Sequence, residues 1–188
     1  KVSLDDEIGG VQRCLPTREC ATSVAITDMV AQARQGKSPL PIDILDEPVA
    51  FVPNGLTAEA GTILRALPDC FTDPDTTTRL IPVFSLFCHH QHAFLDFLIQ
   101  KSALNPVEFI HLRILQPLAQ TVITLLCDHN FSLEAHGQNL LLSYDTQTGD
   151  TGLIYRDLGG VNSRLTLKKQ KLFQQKYGTP NLFYIKTH

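Results

Sequence analysis

The chain has 188 residues, of which 43% are hydrophobic and 19% charged, an ordinary globular composition that argues against disorder or a fibrous repeat. That length supports one well-buried core or two small lobes and excludes a large multidomain enzyme, so one domain is the default. A net charge of -3 and a pI near 6.1 carry no general electrostatic footprint for nucleic acid or an anionic membrane, so any bound anion must be held by a local arrangement.

No apolar run approaches the roughly 20 residues needed to span a bilayer, and the N-terminus lacks the order of a signal peptide. The expectation is a soluble, cytoplasmic chain. Its cysteines, Cys14, Cys20, Cys70, Cys88 and Cys127, are odd in number and contain no Cys-x-x-Cys pair, which fits buried thiols in a reducing compartment better than disulfides or a zinc site. The chain opens at Lys1 rather than at a methionine and is at once strand-like, so further sequence is expected upstream.

In chain order, KVSLDDEIGGVQR reads as an extended segment interrupted by Gly9 and Gly10. Apolar spacing predicts a helix over Ala21 to Gln35, ended by Gly36. SPLPIDILDEPVAFVP is a proline-bounded pair of short strands, Ile42 to Leu45 and Val49 to Val52. PDCFTDPDTTT is a loop by composition, and RLIPVFSLF is a buried-strand candidate whose proline favours an edge or a bulge. The clearest helix runs from Pro106 to about His129, with Asn105 and Glu108 as a capping box, Pro117 as a kink and Asn130 as a left-handed terminator.

A hairpin follows. Ser132 to Tyr144 and Gly152 to Leu158 read as strands flanking the polar loop DTQTGDT. Symmetry about Thr148 puts Asn139 and Asp157 at or next to the same rung. After it, Arg164 to Lys176 carries basic residues at helical spacing, more often a solvated face than an anion site. With no internal repeat, the element order argues for α+β with a mostly antiparallel sheet backed by helices.

The stretch SLEAHGQNLLLSYD interrupts apolar chain with Glu134, His136, Gln138 and Asn139. If extended, Glu134, His136 and Gln138 share a face, and Asn139 breaks the alternation and requires a bend. Buried polar groups are costly unless paired, so this cluster implies either a polar ligand or a dense internal network. Amide carbonyls with an Asp carboxylate are the hard oxygen ligands that Mg²⁺ prefers, and kinase-like nucleotide sites use such an Asn and Asp pairing.

LEAHGQNLLL followed by YRDLGG resembles the Glu-Ala-His-x-Gln-Asn and Arg-Asp motif pair of the siderophore synthetases that act independently of nonribosomal peptide synthetases, the aerobactin- and achromobactin-synthetase-like family. KVSLDDEIGGVQR is similar to the strand, beginning with Lys and ending with Arg, between that family's nucleotide-binding and palm regions, and ILDEP and RLIPVFSLF fit the palm. The resemblance implies a palm-like fragment spanning 1–188, with 1–15 linking to a missing nucleotide-binding region and 164–188 starting a truncated helical region. It implies ATP and Mg²⁺ as cofactors. A carboxylate such as citrate would attack the α-phosphate of ATP to form an acyl-adenylate, and a polyamine, amino-alcohol or hydroxamate nucleophile would then displace AMP.

By the same resemblance, Gln138, Asn139 and Asp157 match positions that bind ATP phosphates through Mg²⁺, with Glu134 beside the nucleotide and His136 facing the carboxylate substrate. Lys1 and Arg13 match basic residues that offset phosphate and carboxylate charge, and Arg156 reads as an orienting salt-bridge partner at the ATP site. The geometric expectation is that Gln138 or Asn139 comes within metal-bridging reach of Asp157, with His136 in the same cleft. The family's His-Pro-x-His-Lys motif and Ser/Thr phosphate loop lie upstream in full-length members, commonly homodimers. This chain alone is therefore expected not to turn over. The alternative is a truncated or diverged paralogue serving as a binding or assembly module.

The remaining clusters read more plainly. CHHQH, with His89, His90 and His92, lacks the spacing of a zinc helix and reads as a loop or helix start. Asp43, Asp46 and Glu47 read as an exposed strand edge and turn.

Overall fold

A computed structural model describes residues 1, 7–8, 11–12, 14–36, 39–52, 61–68, 73–88 and 92–163. The expectations for Gly9 and Gly10, for Arg13, for His89 and His90, and for the basic tail 164–188 fall outside those residues. Strands β1 (Glu7–Ile8) and β2 (Val11–Gln12) pair as a small antiparallel ladder. Helix α1 spans Thr17–Arg34, opening four residues earlier than its apolar spacing suggests, directly after Pro16, whose extended backbone sits at the cap position. Its buried face is wide, taking in Thr22, Ser23, Ile26, Thr27, Val30 and Ala33.

The two short strands expected after α1 exist as β3 (Asp43–Ile44) and β4 (Val49–Phe51), but they do not pair with each other. β4 pairs antiparallel with β5 (Thr62–Leu64), which the sequence reading did not contain, and β3 joins the main sheet. In RLIPVFSLF the strand β6 (Thr78–Pro82) stops at the proline, and Val83–Phe87 turns into a 3-10 helix. Helix α2 (His92–Ser102) follows, so His92 does stand at a helix start.

Helix α3 (Pro106–Ile110) begins with the expected capping box, in which the Glu108 amide donates to Asn105 Oδ1 at 2.9 Å and the Asn105 amide donates to Glu108 Oε2 at 3.1 Å. The disturbance expected from Pro117 is a π-helical turn at His111–Leu115, just before helix α4 (Gln116–His129). Asn130 ends α4 at φ 61° and ψ 32°, the left-handed cap its short polar side chain tolerates. Taken as one helix, Pro106–His129 is long and apolar enough to cross a membrane by length and composition alone, its most apolar 18-residue window having a mean hydropathy of 1.3. Its Phe109, Ile114 and Leu125 lie in the main core, while Val107, Leu115 and Ile123 are exposed.

Strand β7 (Phe131–Ser132) pairs with β10 (Asn162–Ser163). The hairpin is formed by β8 (Leu140–Asp145) and β9 (Thr151–Tyr155), with Gly149 at φ 80° in its turn. The main sheet runs β3-β9-β8-β6, antiparallel except for β3 beside β9, so the fold is α+β with the expected mostly antiparallel sheet. β6 is an edge strand, as its proline suggests. The leucine triplet is buried on both faces of this sheet. Leu140 and Leu142 join the main core with Tyr155, whereas Leu141 packs with Leu45 and Ile154 on the opposite side.

Candidate functional site

Ser132 to Tyr144 is not one continuous strand. Between β7 and β8 the chain makes a 3-10 turn at Gly137–Asn139, the bend that Asn139 was expected to require. Gly137 fits there against Phe84, whose Cβ would lie 3.5 Å from a Cβ added at that glycine. The Asn139 amide N–H donates to the His136 carbonyl at 2.9 Å, and its side-chain Nδ2 donates to the Glu134 carbonyl at 3.1 Å. The Arg156 amide donates to the Asn139 carbonyl at 2.9 Å, carrying the hairpin ladder one rung past Leu140↔Tyr155. Asn139 therefore stands opposite Arg156, and Asp157 is next to that rung, as the hairpin symmetry suggests.

Arg156 orients the turn, though through a carbonyl rather than the anticipated salt bridge. Its Nε and Nη2 donate to the Gln138 carbonyl at 3.2 and 3.0 Å. Asp157 then departs from β geometry with φ 76° and ψ 84°, an uncommon backbone for any residue other than glycine. Two groups hold it there. The Tyr155 hydroxyl lies 3.3 Å from the Asp157 carbonyl, and the amide N–H of Leu158 donates to Glu47 Oε2 at 3.1 Å. The same buried Tyr155 hydroxyl accepts the Glu134 amide N–H at 3.1 Å, so one phenol ties the two motif segments together.

The result is a cavity of about 340 Å³ whose described lining is Lys1, Arg65, Phe84, Gln138, Asn139, Arg156 and Asp157. Three cationic side chains face one carboxylate, the local arrangement for an anion that the overall charge does not provide. Lys1 Nζ donates to Asp157 Oδ1 at 2.9 Å and lies 3.4 Å from Glu19 Oε2. Burial by itself would lower the Lys1 pKa, but the hydrogen bond and charge of Asp157, reinforced by Glu19, raise it above its ordinary value. Lys1 is therefore a fixed cation at neutral pH.

Five expected residues, Lys1, Gln138, Asn139, Arg156 and Asp157, thus meet at one cavity. Glu134 and His136 do not line it. Because the chain turns at Gly137–Asn139 instead of alternating as a strand, their side chains stand 55% and 44% exposed, with His136 Nε2 4.0 Å from Glu134 Oε1. The Glu134 carboxylate lies against Gly160, where an added Cβ would be 2.1 Å from Oε2. Arg13 is outside the described residues. Among the described residues no group of three or more His, Cys, Asp or Glu could hold a metal. A cation here would rest on one carboxylate and two amide oxygens, a set that suits Mg²⁺ only if water or phosphate completes it.

Sequence reasoning missed Arg65 and Glu47. Glu47 is no exposed turn residue, because its side chain is fully buried and its Oε1 accepts from Arg65 Nε at 2.9 Å and from Nη2. A solitary arginine inside the apolar run TILRAL was the available signal for Arg65.

No family model matches the sequence, and no curated protein matches it. Solved structures do match in fold. The petrobactin biosynthesis protein AsbB of Bacillus anthracis matches over 87% of this chain and 28% of its own, at 20% identity and a TM-score of 0.67. The aerobactin synthetase IucC of Klebsiella pneumoniae matches over 84% of this chain and 30% of its own, at 19% identity and a TM-score of 0.61. The ATP-bound aerobactin synthetase IucA of the same species matches over 87% and 32%, at 18% identity and a TM-score of 0.57. The chain thus spans about a third or less of these proteins, and it shares the fold of the siderophore synthetases its motifs resemble.

Proposed function

We propose that this chain is the palm-like part of a cytoplasmic, ATP-dependent siderophore synthetase, which adenylates citrate or a related carboxylate and condenses it with an amine or hydroxyl nucleophile. The observation that carries the reading is the cation-rich cavity at which Lys1, Gln138, Asn139, Arg156 and Asp157 converge. The fold shared with a synthetase solved with ATP bound supports it.

In the first step a carboxylate oxygen attacks the α-phosphorus and pyrophosphate leaves; in the second, the nucleophile attacks the acyl carbon and AMP leaves. Both partners of the first step are anions, so cations must offset their repulsion and the charge that develops on phosphate oxygens. Lys1 and Arg65 are the side chains for that role, and Arg156 holds the turn that presents Gln138 and Asn139. Asn139 spends its Nδ2 on the Glu134 carbonyl, which leaves Oδ1 as its acceptor toward a cation. Gln138, Asn139 and Asp157 would hold Mg²⁺, which when bound screens phosphate charge. Lys1 holds the Asp157 carboxylate as an ion pair, and Mg²⁺ at that carboxylate would leave Lys1 to face the phosphates. His136, which stands outside the described lining, would meet the carboxylate substrate and donate a hydrogen bond to it. Arg13 remains the second basic residue expected at the substrate.

Asn139→Ala or Asp157→Ala in the full-length protein should abolish acyl-adenylate formation, followed by ATP-pyrophosphate exchange. Near-normal exchange in either variant refutes the metal role. The isolated chain should show no exchange.

A further inference from the structure

The carboxylate of Glu47 has no part in the chemistry above, yet it touches two walls of the cavity. It is fully buried, and burying a charge is unfavourable unless its partners are well placed. Such a pair is weak evidence of stability, since apolar side chains of similar volume commonly serve as well. What the pair contributes here is geometry.

Each oxygen serves a different wall. Oε1 accepts from both Nε and Nη2 of Arg65, which fixes the plane of that guanidinium. Oε2 accepts the Leu158 amide N–H at 3.1 Å, the peptide directly after Asp157 and its left-handed backbone. Glu47 is itself anchored, because its amide N–H donates to Thr27 Oγ1 at 2.8 Å, and that hydroxyl donates to the Ser23 carbonyl at 3.0 Å on α1. One side chain therefore relates α1, Arg65 and Asp157 to one another.

We propose that Glu47 is a positioning residue for the nucleotide site, setting Arg65 as an anion-binding side chain and Asp157 as a cation-binding one in a single bracket. This rests on the reading that the cavity takes Mg-ATP. In Glu47→Gln the amide oxygen can serve one partner, but its NH₂ must confront the donors of the other. The bracket is then lost at near-constant volume.

Calorimetric titration of the full-length protein with Mg-ATP, together with its thermal transition, tests this. Glu47→Gln should fold cooperatively and raise the Mg-ATP dissociation constant at least tenfold. Should it not fold, Glu47→Asp takes its place, keeping the charge that pairs with Arg65 but too short to bracket both Arg65 and the Leu158 amide, with the same expected loss. A lowered thermal transition with unchanged Mg-ATP affinity makes Glu47 merely structural and overturns this inference alone. Wild-type protein that does not bind Mg-ATP overturns the functional reading and this inference with it.

Discussion

Removing the Tyr155 hydroxyl tests whether the two halves of the site are tied together through it. In Tyr155→Phe the ring stays in a fully buried position, and the Glu134 amide loses its acceptor at 3.1 Å. The Glu134 carbonyl keeps Asn139 Nδ2, but the Asp157 carbonyl loses its contact with the phenol. One net hydrogen bond contributes about 1 kcal/mol, and a stranded, partly buried donor costs about 1 kcal/mol more, so the variant should be destabilised by about 2 kcal/mol. For a domain of this size that lowers the melting temperature by about 4–8 °C. Burial holds the Tyr155 pKa well above the ordinary tyrosine range, with the Glu134 amide bond opposing that rise. The hydroxyl is therefore protonated throughout, and the penalty should be flat across roughly pH 6–9. Urea unfolding and Mg-ATP titration of wild type and variant measure both effects. A loss under about 0.5 kcal/mol, the range of an ordinary surface substitution, together with unchanged Mg-ATP affinity would refute the tie.

Two further expectations concern elements that support the site. Asn105→Ala removes the acceptor of the Glu108 amide and should cost about 1 kcal/mol in urea unfolding, whereas Asn105→Asp should be near neutral; equal losses in both would mean the cap contributes nothing. Asp145, at the end of β8, accepts the Thr77 hydroxyl at 2.6 Å and the Gln147 and Thr148 amides at 2.8 Å, and these bonds, Thr77 first, lower its pKa. A folded pKa below the unfolded one means that its contribution is present above the unfolded value and lost as pH falls through the folded one. Hairpin amide protection factors, corrected for the pH dependence of intrinsic exchange, should therefore fall on acidification below the ordinary carboxylate range in wild type, and much less in Asp145→Asn; parallel profiles would contradict this.

What could be read from the sequence was whatever depends on near neighbours. The capping box at Asn105, the left-handed cap at Asn130 and the hairpin rung beside Asp157 each rest on partners a few residues away or across one turn, where spacing alone sets the geometry. The parallel pairing of β3 with β9 joins segments about 110 positions apart and leaves no local trace. Helix α2 was legible only at its start, in CHHQH, and its run through FLDFLI to Ser102 was not read. The pair Glu134 and His136 shows the opposite failure. Their alternation with Gln138 was a correct inference from strand geometry applied to a segment that turns.

Glu47 is the sharpest case, because a carboxylate in ILDEP has the same local signature whether it ends in water or in the core. Its fate is decided by Arg65, 18 positions on, and by the Leu158 amide, 111 positions on. Neither contact has a periodicity. Once both exist, a group that would be expelled from an apolar interior becomes the fixed point for two walls of the cavity. Apart from Lys1, the legible members of the site thus share one hairpin. The pair brought in by tertiary contact, Arg65 and Glu47, adds a third cation to Lys1 and Arg156 and the rigidity on which binding an anion would depend.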